Sequence, residues 1–242
     1  MAGRSLFTKD TELIDTARDN AVAKSYAYAP ETIIKAYALG LFPMAESHDS
    51  TDIRFYDPDR RGLIPLDDSL GNGLHIPRRL RRRVRQHPYD ISINQDFAAV
   101  ITACAAPSAT RTSTWINADI RQLYIALHKM GFAHSVEVWH EGNLVGGLYG
   151  LRLRAAFFGE SMFSRRTDAS KIALVHLMAR LRHGGFRLLD AQFTNEHLKQ
   201  FGVIDVPRAE FQRRLADALA NDADLNLATP SLPMVTAMLA AG

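Results

Sequence analysis

One carboxylate, that of Glu160, stands in the middle of the apolar and aromatic run at residues 157–164. Burying a carboxylate among apolar side chains is costly unless it has a partner, so this run constrains the fold around it. About thirty residues later, an apolar segment leads into a second acid, Asp190, and then into Gln192. Two strand ends that carry acids against apolar walls favour a pocket that binds an apolar group and handles a proton or an amine.

Length and composition are typical of a globular chain with a real core. The 242 residues suit one large domain or two small ones, and 47% of them are hydrophobic. Cys104 is the single cysteine and the nine histidines form no paired ligand motif, so we expect no disulfide and no bound metal. The sequence begins without the apolar run of a signal peptide and contains no membrane-length apolar stretch. We therefore expect a soluble, cytoplasmic protein.

The positive charge is concentrated in one place, although the net charge is only +3. Six arginines fall within eight residues with no acid between them, namely Arg78, Arg79, Arg81, Arg82, Arg83 and Arg85. Ile76, Leu80 and Val84 are spaced by four, which predicts a helix with one narrow apolar stripe and arginines on the other faces. A solvated helix face is the ordinary explanation, but acids one turn away would normally balance it. Phosphate binding is the preferred interpretation, because guanidinium groups reach phosphate oxygens in pairs.

The apolar pattern predicts a mixed α+β fold with helices on the faces of a sheet. Besides the arginine-rich segment, helices are predicted at residues 30–39, 95–105, 117–130, 169–182 and from 207 onward, and Asp168 could cap the fourth of these. Strands are predicted at residues 53–56, 63–65, 89–93, 134–140, 144–154, 155–158 and 186–190. A turn is expected at residues 42–44, and a three-residue hairpin loop at 141–143. The glycines of residues 146–150 lie in a strand pattern, where they mark a bulge or a close backbone approach.

Spacing alone leaves the roles of the acidic residues open. Glu160 is either a structural acid that binds backbone N–H groups or a nearby arginine such as Arg165 or Arg166, or an acid that lines a substrate pocket. Asp190 and Gln192 would share one face of a strand and reach one ligand. The alternative is a hydrogen-bond network at the sheet edge that includes Asn195 and the helix it caps.

Several blocks of this sequence, in one order, resemble the leucyl/phenylalanyl-tRNA–protein transferase family. They are residues 36–43, 114–116, 134–139, 144–150, 159–164, 169–171, 189–192, 202 and 206–208. The resemblance extends from about residue 31 to about residue 219. It implies a small N-terminal domain and a larger domain with a GNAT-like acyltransferase fold. The polar, glycine-rich segment 67–73 is typical of a linker and predicts the boundary, so we place a small α/β domain at residues 1–70 and the GNAT-like domain at residues 71–242.

The same resemblance implies an activity. Members of the family move Leu, Phe or Met from aminoacyl-tRNA to the α-amine of proteins that begin with Arg or Lys, which marks those proteins for degradation. No metal and no nucleotide cofactor is implied, and no membrane partner.

Site residues are assigned by position from the same resemblance. Asp190 and Gln192 would be catalytic. The amino-acid pocket would be lined by Glu160, Phe157, Gly159, Leu148, Leu177 and Leu189. Trp115 and Tyr124 would lie near the 3′-terminal adenosine, and the arginine helix would meet the tRNA phosphates.

Three other functions would explain part of this sequence. An acetyl-CoA-dependent acetyltransferase would need a glycine-rich loop where residues 164–169 contain no glycine. A non-catalytic RNA-binding module would explain the arginines but not the acids in apolar strands. A related transferase that adds Leu to N-terminal Asp or Glu differs only in its acceptor.

Overall fold

The computed structural model describes residues 29–71, 73–107 and 113–240 of the chain, so the predicted linker residue Asn72 lies outside the described residues. Eight helices lie in this part of the chain: α1 (Pro30–Ala38), α2 (Arg78–Arg85), α3 (Phe97–Ala105), α4 (Ala118–Lys129), α5 (Ala169–His183), α6 (Glu196–Lys199), α7 (Arg208–Ala220) and α8 (Ser231–Ala240). The strands there are β1 (Phe42–Ala45), β2 (Ile53–Tyr56), β3 (Arg60–Leu63), β4 (Asp90–Ile93), β5 (Ala133–His140), β6 (Asn143–Leu153), β7 (Ala156–Ser164), β8 (Leu188–Asp190) and β9 (Ile204–Pro207).

A seven-stranded mixed sheet organises the fold, in the order β4-β5-β6-β7-β8-β3-β9. Neighbouring strands are antiparallel except β7 and β8, which are parallel. A parallel pair needs a long crossover connection, and α5 provides it. Strands β1 and β2 form a separate two-stranded antiparallel sheet. The predicted mixed α+β class is confirmed.

Strand β3 connects the N-terminal region to the large sheet. It pairs with β9 from Arg60 to Leu63, and Leu63 also pairs with Asp190 of β8. The sequence pattern places this strand at residues 63–65, because it does not reveal β9, the partner that sets the register. The large sheet therefore includes residues that precede position 70, and the domain boundary there stays a prediction.

Apolar side chains cover both faces of the sheet. Leu148 and Phe157 belong to the core on the side of α5, and their neighbours Tyr149 and Phe158 belong to the core on the side of α3 and α4. Helix α5 is buried along almost its whole length, as its nearly all-round apolar pattern predicts. In the described part of the chain, no helix combines the length and apolar character needed to cross a membrane.

Several local predictions differ from the structure. The hairpin loop has two residues, because Glu141 and Gly142 both have positive φ and His140 pairs with Asn143. Residues 42–44 form strand β1, not a turn. Asp168 precedes α5 but makes no capping hydrogen bond, and it pairs with Lys171 at 3.3 Å instead. The strand predicted at residues 155–158 continues to Ser164, and α8 was not predicted.

Two glycines of strand β6 allow close contacts, as the strand interpretation predicts. A Cβ atom on Gly146 would lie 2.5 Å from the Cβ of Ala169 at the start of α5. A Cβ atom on Gly150 would clash with the carbonyl oxygen of Phe158 and with the ring of Phe157, next to a register shift between Tyr149 and Gly150. These positions let β6 pack directly under a helix and beside a bulged partner strand.

Replacing Gly150 with Ala should therefore lower the free energy of unfolding by about 1–3 kcal/mol, because the obstructing atom is backbone and cannot move aside cheaply. Gly159→Ala is the matched control, since its Cβ would meet Asp190 O at an ordinary 3.5 Å. Urea denaturation measures the free energy of unfolding of each variant. Equal stability of the two variants would contradict the close approach.

Candidate functional site

A cavity of about 810 Å³ opens where strands β7 and β8 stop pairing. The pairing ends at Phe158 and Asp190, but β7 continues to Ser164. The backbone after β8 is bound by β3 instead: Ala191 N donates to Gly62 O and Gly62 N donates to Gln192 O, each at 2.9 Å. The two strands therefore diverge, and the cavity lies between them.

Strands β6, β7 and β8, helix α5 and the segment after β8 all contribute to the cavity wall. Its apolar members include Leu148 of β6, Leu174 and Leu177 of α5, Leu189 of β8 and Met162 of β7. Strand β7 also adds Gly159 and Glu160, and the segment after β8 adds Gln192. A concave, mostly apolar site with a few polar groups is the usual form of a small-molecule pocket.

Five of the six residues assigned to the amino-acid pocket lie in this wall: Glu160, Gly159, Leu148, Leu177 and Leu189. Phe157 does not; its ring is fully buried in the core, 6.5 Å from the ring of Phe186. Trp115 and Tyr124 are not in the cavity wall either. Trp115 packs against the core on the α3 and α4 side, and Tyr124 is completely buried. Contact of these two with the adenosine stays a prediction.

Glu160 is hydrogen bonded to tyrosines, not paired with an arginine. The Tyr37 hydroxyl donates to Glu160 Oε1 at 2.6 Å, and the same hydroxyl meets that of Tyr124. Arg165 is directed elsewhere, donating to Leu144 O at 3.1 Å. The suggested ion pair with Arg165 or Arg166 is therefore wrong, because β7 is extended at about 3.3 Å per residue and carries both arginines away from Glu160.

Burial raises the pKa of Glu160 to about 7, and the hydrogen bonds from Tyr37 and Tyr124 only partly oppose this. The negative charge of Asp190 raises it further, while Arg61 lowers it. The same surroundings raise the pKa values of both tyrosine hydroxyls well above the ordinary 10. The cavity thus contains an acid that changes charge near neutral pH and that an ammonium group would convert to its ionised form.

Asp190 is buried in an ion pair with Arg61. The side chains are 0% and 1% exposed, and Arg61 Nη2 donates to Asp190 Oδ2 at 2.7 Å. Arg61 Nε lies 3.0 Å from both carboxylate oxygens, and the backbone N–H of Gln192 donates to Oδ1 at 2.8 Å. Both oxygens of Asp190 are therefore occupied, so this residue contributes charge and geometry and does not present a free oxygen to a substrate.

Gln192 follows the strand in a left-handed backbone conformation, with φ of 56°. Asp190 is the last residue of β8, so the prediction that the two share a strand face is wrong. Asn195 does not join them, since its side chain caps α6 at Leu198 N. The Gln192 side chain is 7% exposed, and its amide nitrogen has no hydrogen-bond partner among the described residues. A buried donor in a cavity wall is a group that a ligand could satisfy.

Two residues of this site were missed by sequence reasoning. Tyr37 falls within the helix predicted at residues 30–39, and nothing in the local sequence indicates a partner in β7. Arg61 lies in the polar segment that begins at Asp57, which predicts a turn, and arginine is almost never fully buried unless paired. No signal in the sequence identifies Asp190 as that partner.

Helix α2 buries Leu80 and Val84 of the predicted stripe, and Ile76 lies just before the helix. Four of the six arginines are exposed, and Arg81 and Arg83 are half-buried. Ile76, Leu80 and Val84 are at most 3% exposed. None of the six arginines forms an ion pair within the described ranges; Arg81 donates to Ile76 O and Arg85 to Leu239 O. This surface therefore keeps its positive charge uncompensated and available to an anionic partner.

The sheet, the gap between its strands and the acid-bearing apolar cavity define an enzyme-like site for a substrate that is partly apolar and partly polar. Comparison with known proteins identifies the family. The profile described as "Leucyl/phenylalanyl-tRNA protein transferase" matches residues 70–216, and that of its N-terminal domain matches residues 27–59. The chain belongs to the leucyl/phenylalanyl-tRNA–protein transferase family.

Curated relatives agree over most of the chain. A leucyl/phenylalanyl-tRNA–protein transferase of Paramagnetospirillum magneticum (strain AMB-1) is 56% identical over 193 residues, which cover 80% of this chain and 90% of that protein. Proteins of the same name from Phenylobacterium zucineum (strain HLK1) and Maricaulis maris (strain MCS10) are 55% and 54% identical, over 82% of this chain and 89% and 90% of their own lengths.

Glu160 should make the stability of the protein depend on pH. Because its pKa is raised from 4.5 to about 7 in the folded state, its contribution is fully present below pH 4.5 and is lost as pH rises through 7. The free energy of unfolding should therefore fall relative to a Glu160→Gln variant between pH 5 and pH 8, by at most about 3 kcal/mol. Urea denaturation at several pH values measures this, and parallel pH curves for the two proteins would contradict it.

Proposed function

We propose that this protein transfers Leu, Phe or Met from aminoacyl-tRNA to the α-amine of proteins that begin with Arg or Lys. The observation that carries the proposal is the cavity between β7 and β8, in which an apolar wall meets Glu160 and Gln192. Its size suits one bulky uncharged side chain with the adjoining ester and amine. Membership of the family and the name of the relatives support the same activity.

The donor amino acid would bind with its side chain against Leu148, Leu174 and Leu177 and its ammonium group beside Glu160. An ammonium is attracted to an ionised carboxylate in a mostly apolar wall more strongly than in water. Shape alone would reject Val and Ile only modestly, because a methylene in an apolar pocket is worth about 1–3 kcal/mol.

The chemical step joins two groups that are already reactive. The neutral α-amine of the acceptor attacks the ester carbonyl carbon, a C–N bond forms, and the bond to the ribose oxygen breaks. The amine loses one proton, and the departing ribose oxygen gains one. An α-amine has a pKa of about 8, so a useful fraction is neutral near pH 7. The enzyme mainly has to hold the reactants together, which can contribute several kcal/mol and needs no metal or nucleotide.

Gln192 is the side chain best situated to touch the reacting atoms. Its carbonyl oxygen would accept a hydrogen bond from the attacking amine, and its unpartnered NH₂ would donate to the ester oxygen as negative charge develops. Asp190 would act through Gln192, since both of its oxygens are occupied by Arg61 and by the Gln192 backbone.

Helix α2 would bind the phosphates of the tRNA. Its uncompensated arginines are suited to phosphate oxygens, and Coulomb attraction to a polyanion is independent of sequence. A cytoplasmic location follows from the proposed donor, because charged tRNA is found there, and the product would be a protein marked for degradation.

The transfer of labelled Leu or Phe from charged tRNA to a peptide that begins with Arg tests the activity directly. Gln192→Asn should slow this transfer at least tenfold, because asparagine tolerates the left-handed conformation but withdraws the amide by one carbon. Binding of charged tRNA should be unchanged. Gln212→Asn, on α7 and outside the cavity wall, is the control and should keep the wild-type rate.

The same transfer assay distinguishes the proposed function from its alternatives. Transfer to a peptide that begins with Asp or Glu in place of Arg would support the related leucyltransferase instead. Absence of any transfer with intact tRNA binding would support a non-catalytic RNA-binding module and would overturn the proposal.

Replacing Arg78, Arg79 and Arg82 with Gln should weaken tRNA binding and make it less sensitive to salt. Each lost phosphate contact removes about 0.7–0.9 from the slope of log affinity against log salt concentration, so the slope should fall by about 2 if all three contact phosphate. Titrations at several salt concentrations measure this. The matched control replaces Arg154, Arg187 and Arg213, which are each paired with an acid. An equal loss of affinity in both triple variants would refute the assignment.

A further inference from the structure

We propose that Arg61 is a positioning residue for aminoacyl transfer: through Asp190 it holds Gln192 in the strained left-handed conformation in which this residue forms part of the cavity wall. Arg61 belongs to β3, which precedes the arginine helix and the acid-bearing strands in sequence. The role assigned to it here extends the site into the N-terminal third of the chain.

Arg61 is immobilised on every side. Its guanidinium lies 4.5 Å from the ring centre of Phe42 and 4.3 Å from that of Phe211, so aromatic rings contact it from two elements. Its Nη1 donates to Gly40 O at 2.9 Å, and its Nε and Nη2 donate to Asp190. A planar group with all of its sides engaged has one orientation, and it imposes that orientation on the carboxylate it binds.

The orientation is passed on to Gln192 by one hydrogen bond. Asp190 Oδ1 accepts from the backbone N–H of Gln192 at 2.8 Å, while the carbonyl oxygen of Gln192 accepts from Gly62 N at 2.9 Å. Gly62 is the neighbour of Arg61, so β3 binds the peptide group after the Gln192 Cα directly, and it acts on the peptide group before that Cα through Arg61 and Asp190. A non-glycine residue at positive φ costs on the order of 1–3 kcal/mol and persists only where its surroundings enforce it.

An arginine side chain fits the geometry at position 61 better than a lysine side chain does. Lysine could supply the positive charge but has no planar fork, so it could not bind two carboxylate oxygens and Gly40 O together while stacked between two rings. A buried ion pair is also a poor source of stability compared with an apolar pair of similar size. Its presence next to the cavity is therefore better explained by the orientation it imposes than by stability.

The experiment compares Arg61→Lys with Arg180→Lys, because Arg180 is equally buried at 1% exposure but binds the backbone carbonyls of Leu225, Asn226 and Thr229. Both variants should lose stability. Only Arg61→Lys should lower kcat, by at least tenfold, with KM for charged tRNA within twofold of wild type. A kcat for Arg61→Lys within twofold of wild type would overturn the proposal, as would an equal loss in Arg180→Lys.

A double variant that lacks both buried charges distinguishes an effect on the orientation of Gln192 from an effect on stability. Arg61→Met combined with Asp190→Asn leaves no unpaired buried charge, so it should be more stable than Arg61→Met alone while its transfer rate stays low. Recovery of both stability and rate would show that orientation by the ion pair is not needed.

Because the proposal rests on the proposed transfer function, it also needs a readout that does not require activity. A crystal structure of Arg61→Lys should show Gln192 out of its left-handed conformation or its amide turned from the cavity. An unchanged Gln192 would overturn the positioning role. If the wild-type protein fails to transfer any amino acid, the proposed function fails, and this structural comparison still decides the role of Arg61.

Discussion

The site depends on the short length over which two parallel strands are paired. Strands β7 and β8 share three paired positions, after which the backbone following β8 gives its hydrogen bonds to Gly62 of β3. Buried peptide groups need hydrogen-bond partners. Because Gly62 of β3 bonds the backbone that follows β8, this backbone can separate from β7 without leaving its N–H and C=O groups unpaired. Helix α5 packs over the resulting gap between the two strands, and its leucines make one wall of the cavity apolar.

Two carboxyl groups border this gap, and their hydrogen-bond partners are of different kinds. Asp190 binds the guanidinium of Arg61 and the backbone N–H of Gln192, so its carboxylate is held in one orientation. Glu160 has tyrosine hydroxyls as partners, so its charge stays sensitive to whatever enters the cavity. Hydrogen bonds from neutral hydroxyls stabilise a carboxylate less than a guanidinium does. One acid therefore provides geometry, and the other can respond to a cationic substrate group.

Much of the fold follows from local pattern. The period of the apolar residues located α3, α4 and α5, the alternation of β5 and β6 located the central hairpin, and the stripe under the arginines located α2. Prediction was poorest where an element depends on a distant partner: β3 and β9 pair with each other across about 140 residues, and neither has a strong pattern of its own. For the site, the apolar lining and both acids were identified, but the partners of the acids were not.

The sequence by itself determined most of the helices, the central strands and the presence of costly acids in apolar segments, because each of these depends on neighbouring residues or on side-chain chemistry. Only the tertiary structure decided that Asp190 meets Arg61, that Glu160 meets Tyr37, and that Gln192 lies in the wall of a cavity. These contacts join residues 123 to 129 positions apart or require a left-handed residue, and such choices are made by chain packing and not by local preference.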